Sequence, residues 1–594
     1  MATQFEQQFP DIAFNTLLPP DQHPGFQYGG FHPDRVTVLP KGHVKESGYQ
    51  AFRVDVTMEE DRAILLRDGV SIYTNVYRPT NVAKVPAILA WSPYGKSGAA
   101  TASQNYDIMG PFRMGIPYNK LSGYEKFEGP NPADWCERGY AVVDPDARGA
   151  MHSEGDIFSW GPQEAIDIFD TLSWIQKQEW CDGNIVMMGN SWLGIAQINM
   201  AARYHHPALK AIAPWEAATD TYHQTACRGG RPSPPGFGDM ILAGFAGRGK
   251  AENMYKTLEH HPYYDDYWRS KTIDVANIDI PMYLTASYSS GLHSAGSFSN
   301  FQTNGKAKKW LRVHSSQEWH DLYRDEAVDD LQKFFDFYAR GVQNGWQQTP
   351  PIRLSLIGFH NSPARTVHER PESGTYPLER TQVRKFYLDA NNMSLCSNMP
   401  SSPGETSFEG HHLTDKATFS LIFPTYTELS GWPWLKVFMH CDSATDLDVV
   451  IQIRKISASG ERLEYANYPV PVPLPKLANT NVAKYIGPSG ILRASRVVTL
   501  KPKKNELDYP EYTHLTSASV EPLGRVVELD IPIWPIGMVF EENEGIQLDI
   551  AGHDLAYPEV GPPMREPVDS NKGKFFVHTG PSYGSYLVLP FIAG

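Results

Sequence analysis

Over its first 340 residues the chain alternates short apolar runs with amphipathic stretches, and beyond about residue 385 it changes to short β-patterned runs. Residues 52–58 and 70–77 alternate apolar and polar positions, which predicts two half-buried antiparallel strands. Residues 86–91, 141–144, 184–189, 211–215, 281–285 and 309–313 are almost continuously apolar, the pattern of central parallel strands covered on both faces. Between them, residues 163–178 repeat apolar side chains at the helical period, through Ile166, Ile168, Phe169, Leu172, Trp174 and Ile175. Residues 193–204 and 327–341 also read as helices. Strands and helices in this alternation predict an α/β protein built on a doubly wound parallel sheet.

Three segments depart from that rhythm. Residues 1–50 are rich in Pro, Gly and His without a period, and are expected to form an extended arm packed on the body. Residues 221–277 are mostly polar and aromatic and interrupt the sheet pattern, as an inserted helical cap would. Residues 385–594 carry short strands separated by Pro, Gly and Asn, which predicts a C-terminal β-sandwich of the jelly-roll kind. The core is then expected over 51–220 and 278–365, with the boundary near 365–385. A chain of 594 residues exceeds what one core supports, in keeping with several domains.

Composition narrows the function classes. A net charge of -14 argues against nucleic acid or an anionic membrane as the partner. No apolar run reaches the ~18 residues of a membrane span, and the N-terminus lacks a signal-peptide pattern. The five cysteines are scattered, with no CxxC pair, so neither a zinc site nor a disulfide framework is expected. A cytoplasmic enzyme of a small-molecule substrate fits these features, and self-association is left open. No GxGxxG or GxxxxGK follows a strand, and neither a cofactor nor a metal is expected.

The chemistry centres on Gly189-Asn190-Ser191-Trp192-Leu193-Gly194, which follows an apolar strand and opens a helix. A sharp strand-to-helix turn lifts a serine hydroxyl out of the sheet, and the helix N-terminus offers N–H groups to a developing oxyanion. The spacing is GxSxxG rather than GxSxG, because the second glycine stands three residues after the serine.

Asp146-Ala-Arg148-Gly149, Ser153-Glu154-Gly155, Glu164-Ala-Ile-Asp167, Trp174, Trp180, Gly183 and the Ser191 elbow together resemble the cocaine-esterase and X-Pro dipeptidyl-peptidase hydrolases. Ala213-Pro-Trp-Glu216, Asp220, Arg228-Gly-Gly230 and Leu492-Arg-Ala-Ser495 extend the resemblance over about residues 55–590. It implies an α/β-hydrolase core, a helical cap, a C-terminal jelly roll, and a serine that attacks an ester or amide carbonyl. It also implies an oxyanion hole made by the Trp192 N–H and the Tyr94 hydroxyl. The Asp146–Gly149 loop is implied to be structural, with Arg148 ion-paired.

The family's acid and base do not carry over. Its aspartate, after the penultimate core strand, aligns with Ser289, and its histidine, after the last core strand, aligns with Gln317; neither residue is a base at neutral pH. His314 and His320 are the expected replacements for the base, with His293 read as a hydrogen-bonded loop residue. Glu216, at another strand end on the same sheet edge, is the expected orienting acid, and Glu318 and Asp321 compete with it.

The leading expectation is a serine hydrolase working through an acyl-Ser191 intermediate. Two others stand beside it: the scaffold redirected to acyl transfer, carbon–carbon cleavage or cyclisation of a specialised metabolite, and a non-catalytic binding protein.

Overall fold

The structure is a computed structural model that describes residues 4–26, 28–96, 102–234, 236–359, 366–372, 374–443, 446–496, 509–510, 525–559 and 572–593. Its central sheet is formed by β1 (Arg35–Leu39), β2 (Val56–Leu65), β3 (Ser71–Pro79), β4 (Val85–Leu89), β5 (Ala141–Asp146), β6 (Cys181–Asn190), β7 (Leu209–Trp215), β8 (Met282–Ser287), β9 (Lys309–His314), β10 (Ile352–Ile357) and β11 (Thr366–Glu372). Across the sheet they lie in the order 1-2-3-5-4-6-7-8-9-10-11. From β5 through β10 the neighbours run parallel; β1, β2, β3 and β11 pair antiparallel at the flanks. The sheet is therefore mixed, with the parallel strands at its centre.

The continuously apolar runs explain that centre. Along β6, Ile185 and Met187 join one core while Val186 and Met188 join the other, so successive side chains fill both faces. Helices α1 (Pro162–Gln176) and α2 (Trp192–Arg203) cover one face. Helix α5 (Asp325–Ala339) covers the other with the buried stripe Val328, Leu331, Phe334 and Phe335. The shorter α3 (Ser294–Gln302) and α4 (Glu318–Leu322) follow β8 and β9.

The N-terminal arm differs from its expected form in one respect: residues 35–39 belong to the sheet as its edge strand β1. Ahead of it, Phe14–Thr16 pairs with Lys250–Glu252 of the insert, and Phe9 and Leu17 are buried. The insert holds short helices, among them Phe237–Leu242 and Asp266–Lys271, and buries Tyr222, Tyr267 and Trp268.

Beyond the core, antiparallel strands dominate. Thr381–Asp389 pairs with Tyr586–Ile592, Trp434–Cys441 with Val527–Pro532 and Lys574–Thr579, and Asp448–Ile456 with Gly545–Ala551. This β part touches the central sheet at Ile357 and Met538. Residues 365 and 373, inside the stretch where the sequence places the boundary, lie outside the described residues.

Candidate active site

The carboxyl ends of the parallel strands converge on one edge, where open α/β sheets bind their ligands. Tyr94 follows β4, Ser191 follows β6, Glu216 follows β7, His293 follows β8 and Glu318 follows β9.

Ser191 adopts φ 52° and ψ -116°, a strained conformation for a residue with a Cβ. The turn is held by its N–H, which donates to the Glu216 carbonyl at 3.0 Å. Both glycines of the motif have a steric reason. A Cβ on Gly189, which has φ 133°, would stand 2.5 Å from Leu193 and 2.8 Å from the Glu128 carbonyl. One on Gly194 would stand 3.2 Å from the Trp215 carbonyl, so the second glycine lets α2 pack close to β7.

The Ser191 hydroxyl lies 3.2 Å from Nε2 of His293, whose Nδ1 lies 3.0 Å from Oε2 of Glu318. With Nδ1–H donating to Glu318, Nε2 is left to accept the serine proton. Burial disfavours the imidazolium, but the Glu318 carboxylate outweighs it and raises His293 to about 9. Glu318 opens α4, and Gln317 is that helix's N-cap: its Oε1 accepts from the Trp319 N–H at 2.6 Å.

The residues the sequence favoured for proton handling sit elsewhere. His314 Nε2 lies 2.9 Å from Glu216 and 3.8 Å from Asp321, in a buried cluster with Arg312, whose two Nη atoms hold Asp321 at 2.9 and 2.5 Å. Burial would raise Asp321, yet Arg312 keeps it far below the carboxylate range. His320 faces Gly115 in a neighbouring loop. The reason is geometric: the His314 side chain pairs with Glu216, and the first turn of α4 brings Glu318, rather than His320, to His293. Glu216 lies beside the triad, but its nearest basic partner is His314. Arg148 is structural, with Nε and Nη2 each 2.7 Å from Asp167.

The structure thus exchanges two loops relative to the resemblance. The loop after β8, where an aspartate is expected, supplies the histidine; the loop after β9, where a histidine is expected, supplies the acid. The signal was present in the sequence, since Ser289 and Gln317 leave both positions vacant while His293 and Glu318 stand within four residues of them.

Opposite the histidine, the Trp192 N–H heads α2 without an intrahelical acceptor. Its ring is fixed by a 2.8 Å hydrogen bond from Nε1 to Glu164 and by contact with Trp160. Burial first, then the Glu128 charge, pushes the Tyr94 hydroxyl well above its ordinary pKa, so it keeps its proton and can donate. The rings of Phe127 and Phe245 pack on Tyr94 at 5.1 and 5.7 Å and make the surroundings apolar. The β part closes the other side: the Asn467 carbonyl accepts from the Gln317 N–H at 2.7 Å, and the Asn481 amide donates to Ser289 O at 2.8 Å and to Glu559 at 3.0 Å.

Donor atoms of Glu216, His293 and Glu318 lie within 4.8 Å of one another, a spacing a metal ion would accept. Both nitrogens of His293 are engaged, however, one with Ser191 and one with Glu318, and a metal on either would break the chain of hydrogen bonds.

A mixed sheet with a strained serine elbow and a histidine–acid pair at the next strand ends defines an α/β-hydrolase. Residues 68–246 match the X-Pro dipeptidyl-peptidase (S15) family, and residues 344–588 match the X-Pro dipeptidyl-peptidase C-terminal non-catalytic domain. The chain is 26% identical to the cocaine esterase of Rhodococcus sp. over 383 residues, 54% of this chain and 61% of that enzyme. Its match therefore spans about three fifths of that relative's length. A CocE/NonD family hydrolase from Staphylococcus aureus superposes with a TM-score of 0.82 at 26% identity, covering 94% of this chain and 96% of that one. An aminopeptidase from a marine-sediment Thaumarchaeota archaeon shares the fold, with a TM-score of 0.67 at 16% identity over 91% of this chain and 97% of its own. The chain belongs to the cocaine-esterase and X-Pro dipeptidyl-peptidase-like family of α/β-hydrolases.

Proposed function

We propose that this chain is a serine hydrolase that cleaves an ester, or an amide, of a small organic substrate through an acyl-Ser191 intermediate. The observation that carries the reading is the continuous chain Ser191–His293–Glu318 facing the Trp192 and Tyr94 donors. As the Ser191 oxygen bonds the substrate carbonyl carbon, its proton passes to His293 Nε2, and Glu318 stabilises the imidazolium. The carbonyl electrons move to oxygen, which accepts from the Trp192 N–H and the Tyr94 O–H. Collapse breaks the bond to the leaving group, which takes the proton from His293. Water then repeats the sequence on the acyl-enzyme and regenerates Ser191.

The supporting relatives are named as an esterase and peptidases, and the aromatic wall of Phe127, Phe245 and Trp192 suits an apolar acyl or alcohol group. The reading of redirected chemistry rested on Ser289 and Gln317, and the placement of His293 and Glu318 in those two loops supports hydrolysis instead. We also read residues 221–277 as the cap and the C-terminal strands as a jelly roll. All five cysteines are free thiols, which supports a cytoplasmic setting. No described helix is long and apolar enough to cross a membrane.

The test is active-site labelling. A fluorophosphonate probe is expected to modify Ser191, and Ser191→Ala to lower p-nitrophenyl acetate turnover by roughly 10⁴-fold or more. An unlabelled protein, or an alanine variant of unchanged activity, sinks covalent catalysis.

A further inference from the structure

One proline-rich loop of the β part reaches the catalytic loops. It runs between Tyr465–Ala466 and Lys484–Tyr485, which pair antiparallel, and both its ends are pinned. The Asn467 N–H donates to the Ala483 carbonyl at 3.0 Å, and the N–H groups of Asn481 and Val482 donate to the carbonyls of Pro558 and Glu559 at 2.7 and 3.2 Å. The fully buried Asn467 amide donates to the carbonyls of Asn481 at 2.6 Å and Val482 at 3.2 Å. Joined to the two contacts with the catalytic loops, these bonds make an unbroken line. It passes from the Ser289 carbonyl to the Asn481 amide, from the Asn481 carbonyl to the Asn467 amide, and from the Asn467 carbonyl to the Gln317 N–H. The fit is close: a Cβ on Gly291 would stand 3.0 Å from the Asn481 amide nitrogen and 2.7 Å from Oε2 of Glu559.

We propose that Asn467 and Asn481 are positioning residues for the acid–base pair: their bridge holds the loop that carries His293 at a fixed distance from the helix that carries Glu318. This rests on the hydrolase reading and adds to it. β8 and β9 are in register with one another only as far as Ser287 and His314, several residues short of the reacting groups. Beyond that point both chains have left the sheet, and strand pairing no longer sets their separation. Ser289 and Gln317, where the resemblance expected the acid and the base, are the two positions that the bridge grips. The 3.0 Å contact between His293 and Glu318 is the span it maintains.

An imidazole that takes a proton from Ser191 and passes it to the leaving group must keep both of its bonds aligned through the cycle. Buried amide-to-carbonyl bonds can hold that alignment from outside the substrate site, and a misplacement of about 1 Å is enough to cost up to ~100-fold in rate. The carboxylates whose charge His293 feels are Glu318 from α4, Glu216 after β7, Glu128 and, from the β part, Glu559, which accepts from the Asn481 amide at 3.0 Å. Burial would lower His293, and the Glu318 charge outweighs it and holds the imidazole at about 9. A loosened pair therefore shows itself as a His293 that titrates closer to an ordinary histidine.

The experiment uses the full chain with p-nitrophenyl acetate, comparing Asn467→Ala and Asn481→Ala, each alone and with Glu318→Gln. Val577→Ala, a cavity in a fully buried β-part strand that pairs elsewhere, serves as the stability control. Each asparagine variant is expected to lower kcat about 5- to 50-fold with KM within about threefold. The rising limb of its kcat/KM profile is expected to move down by about half a pH unit or more. On top of Glu318→Gln the same change is expected to cost less than about threefold, since the bridge acts through that pair. Val577→Ala is expected to lower the melting temperature and to keep kcat within about twofold. An unchanged kcat in a folded variant, a change confined to KM, a limb that stays in place, a full loss on top of Glu318→Gln, or an equal kcat loss in Val577→Ala overturns the proposal. Should Asn467→Ala fail to fold, Asn481→Ala, at a half-buried position, decides alone. Fluorophosphonate labelling of the parent separates the two readings: a labelled Ser191 with negative asparagine results removes only this inference, and an unlabelled Ser191 removes both.

Discussion

His293 holds its nitrogens 3.2 Å from Ser191 and 3.0 Å from Glu318, while His314 pairs with Glu216, so the two histidines separate cleanly in an assay. His293→Ala is expected to lower kcat/KM by roughly 10³-fold or more, and His314→Ala to cost far less in rate and more in thermal stability. The pH profile carries a second signature. Turnover needs His293 neutral, so it rises as pH passes upward through about 9. kcat/KM is expected to climb from about pH 7 towards 9, and a flat profile over that range would contradict it. At this scale the Ser191 elbow was legible because a strand, a turn and a helix flank it in order, whereas Tyr94 and Trp192 were named through the family resemblance. His293 and Glu318 were passed over although both stand within four residues of the vacant positions, because a sequence does not say which of several imidazoles near strand ends points inward. Alignment by loop order also assumes that each loop keeps its role.

The central strands were legible as uninterrupted apolar runs, and β2 and β3 as alternating ones, since burial on two faces or one sets those patterns. Edge strand β1 was not. Its Val36 and Val38 are exposed, and it sits in a segment whose Pro, Gly and His content masks a period. Helix α3 shows how an element governs the site. A Cβ on Gly296 would meet the Ala217 carbonyl at 2.5 Å and the Ala218 Cα at 2.7 Å, backbone atoms that cannot swing aside. Gly296→Ala therefore shifts the helix that begins one residue after His293. It is expected to destabilise the fold by about 1–3 kcal/mol and to lower kcat with the melting temperature, measured by thermal melts and p-nitrophenyl acetate turnover. Unchanged kcat in a folded variant would show that α3 does not set the histidine's position.

Across the whole molecule, buried acids tie folding to pH. Burial raises Glu164 to about 7 and Glu128 to about 8, and it outweighs the Lys126 charge to raise Asp144 as well. The unfolded chain releases these protons near pH 4–5 and the folded chain keeps them, so folding takes up protons in between and stability falls as pH rises from about 5 to 8. His293 adds to the same slope: its stabilisation is complete below its ordinary pKa and is lost as pH rises through about 9. The melting temperature is expected to be several degrees lower at pH 8 than at pH 6, and an equal or higher value at pH 8 would refute this assignment of protons.

The exchanged loops bear on how such chains are sorted. A search keyed to an aspartate after β8 and a histidine after β9 would file this sequence among the pseudoenzymes, because Ser289 and Gln317 fail it at both positions. The reacting groups have no memory of which loop carried them; an imidazole and a carboxylate need only arrive in line behind a serine. Inventories of inactive relatives drawn up from aligned columns will therefore contain working enzymes wherever two adjacent loops have traded their cargo.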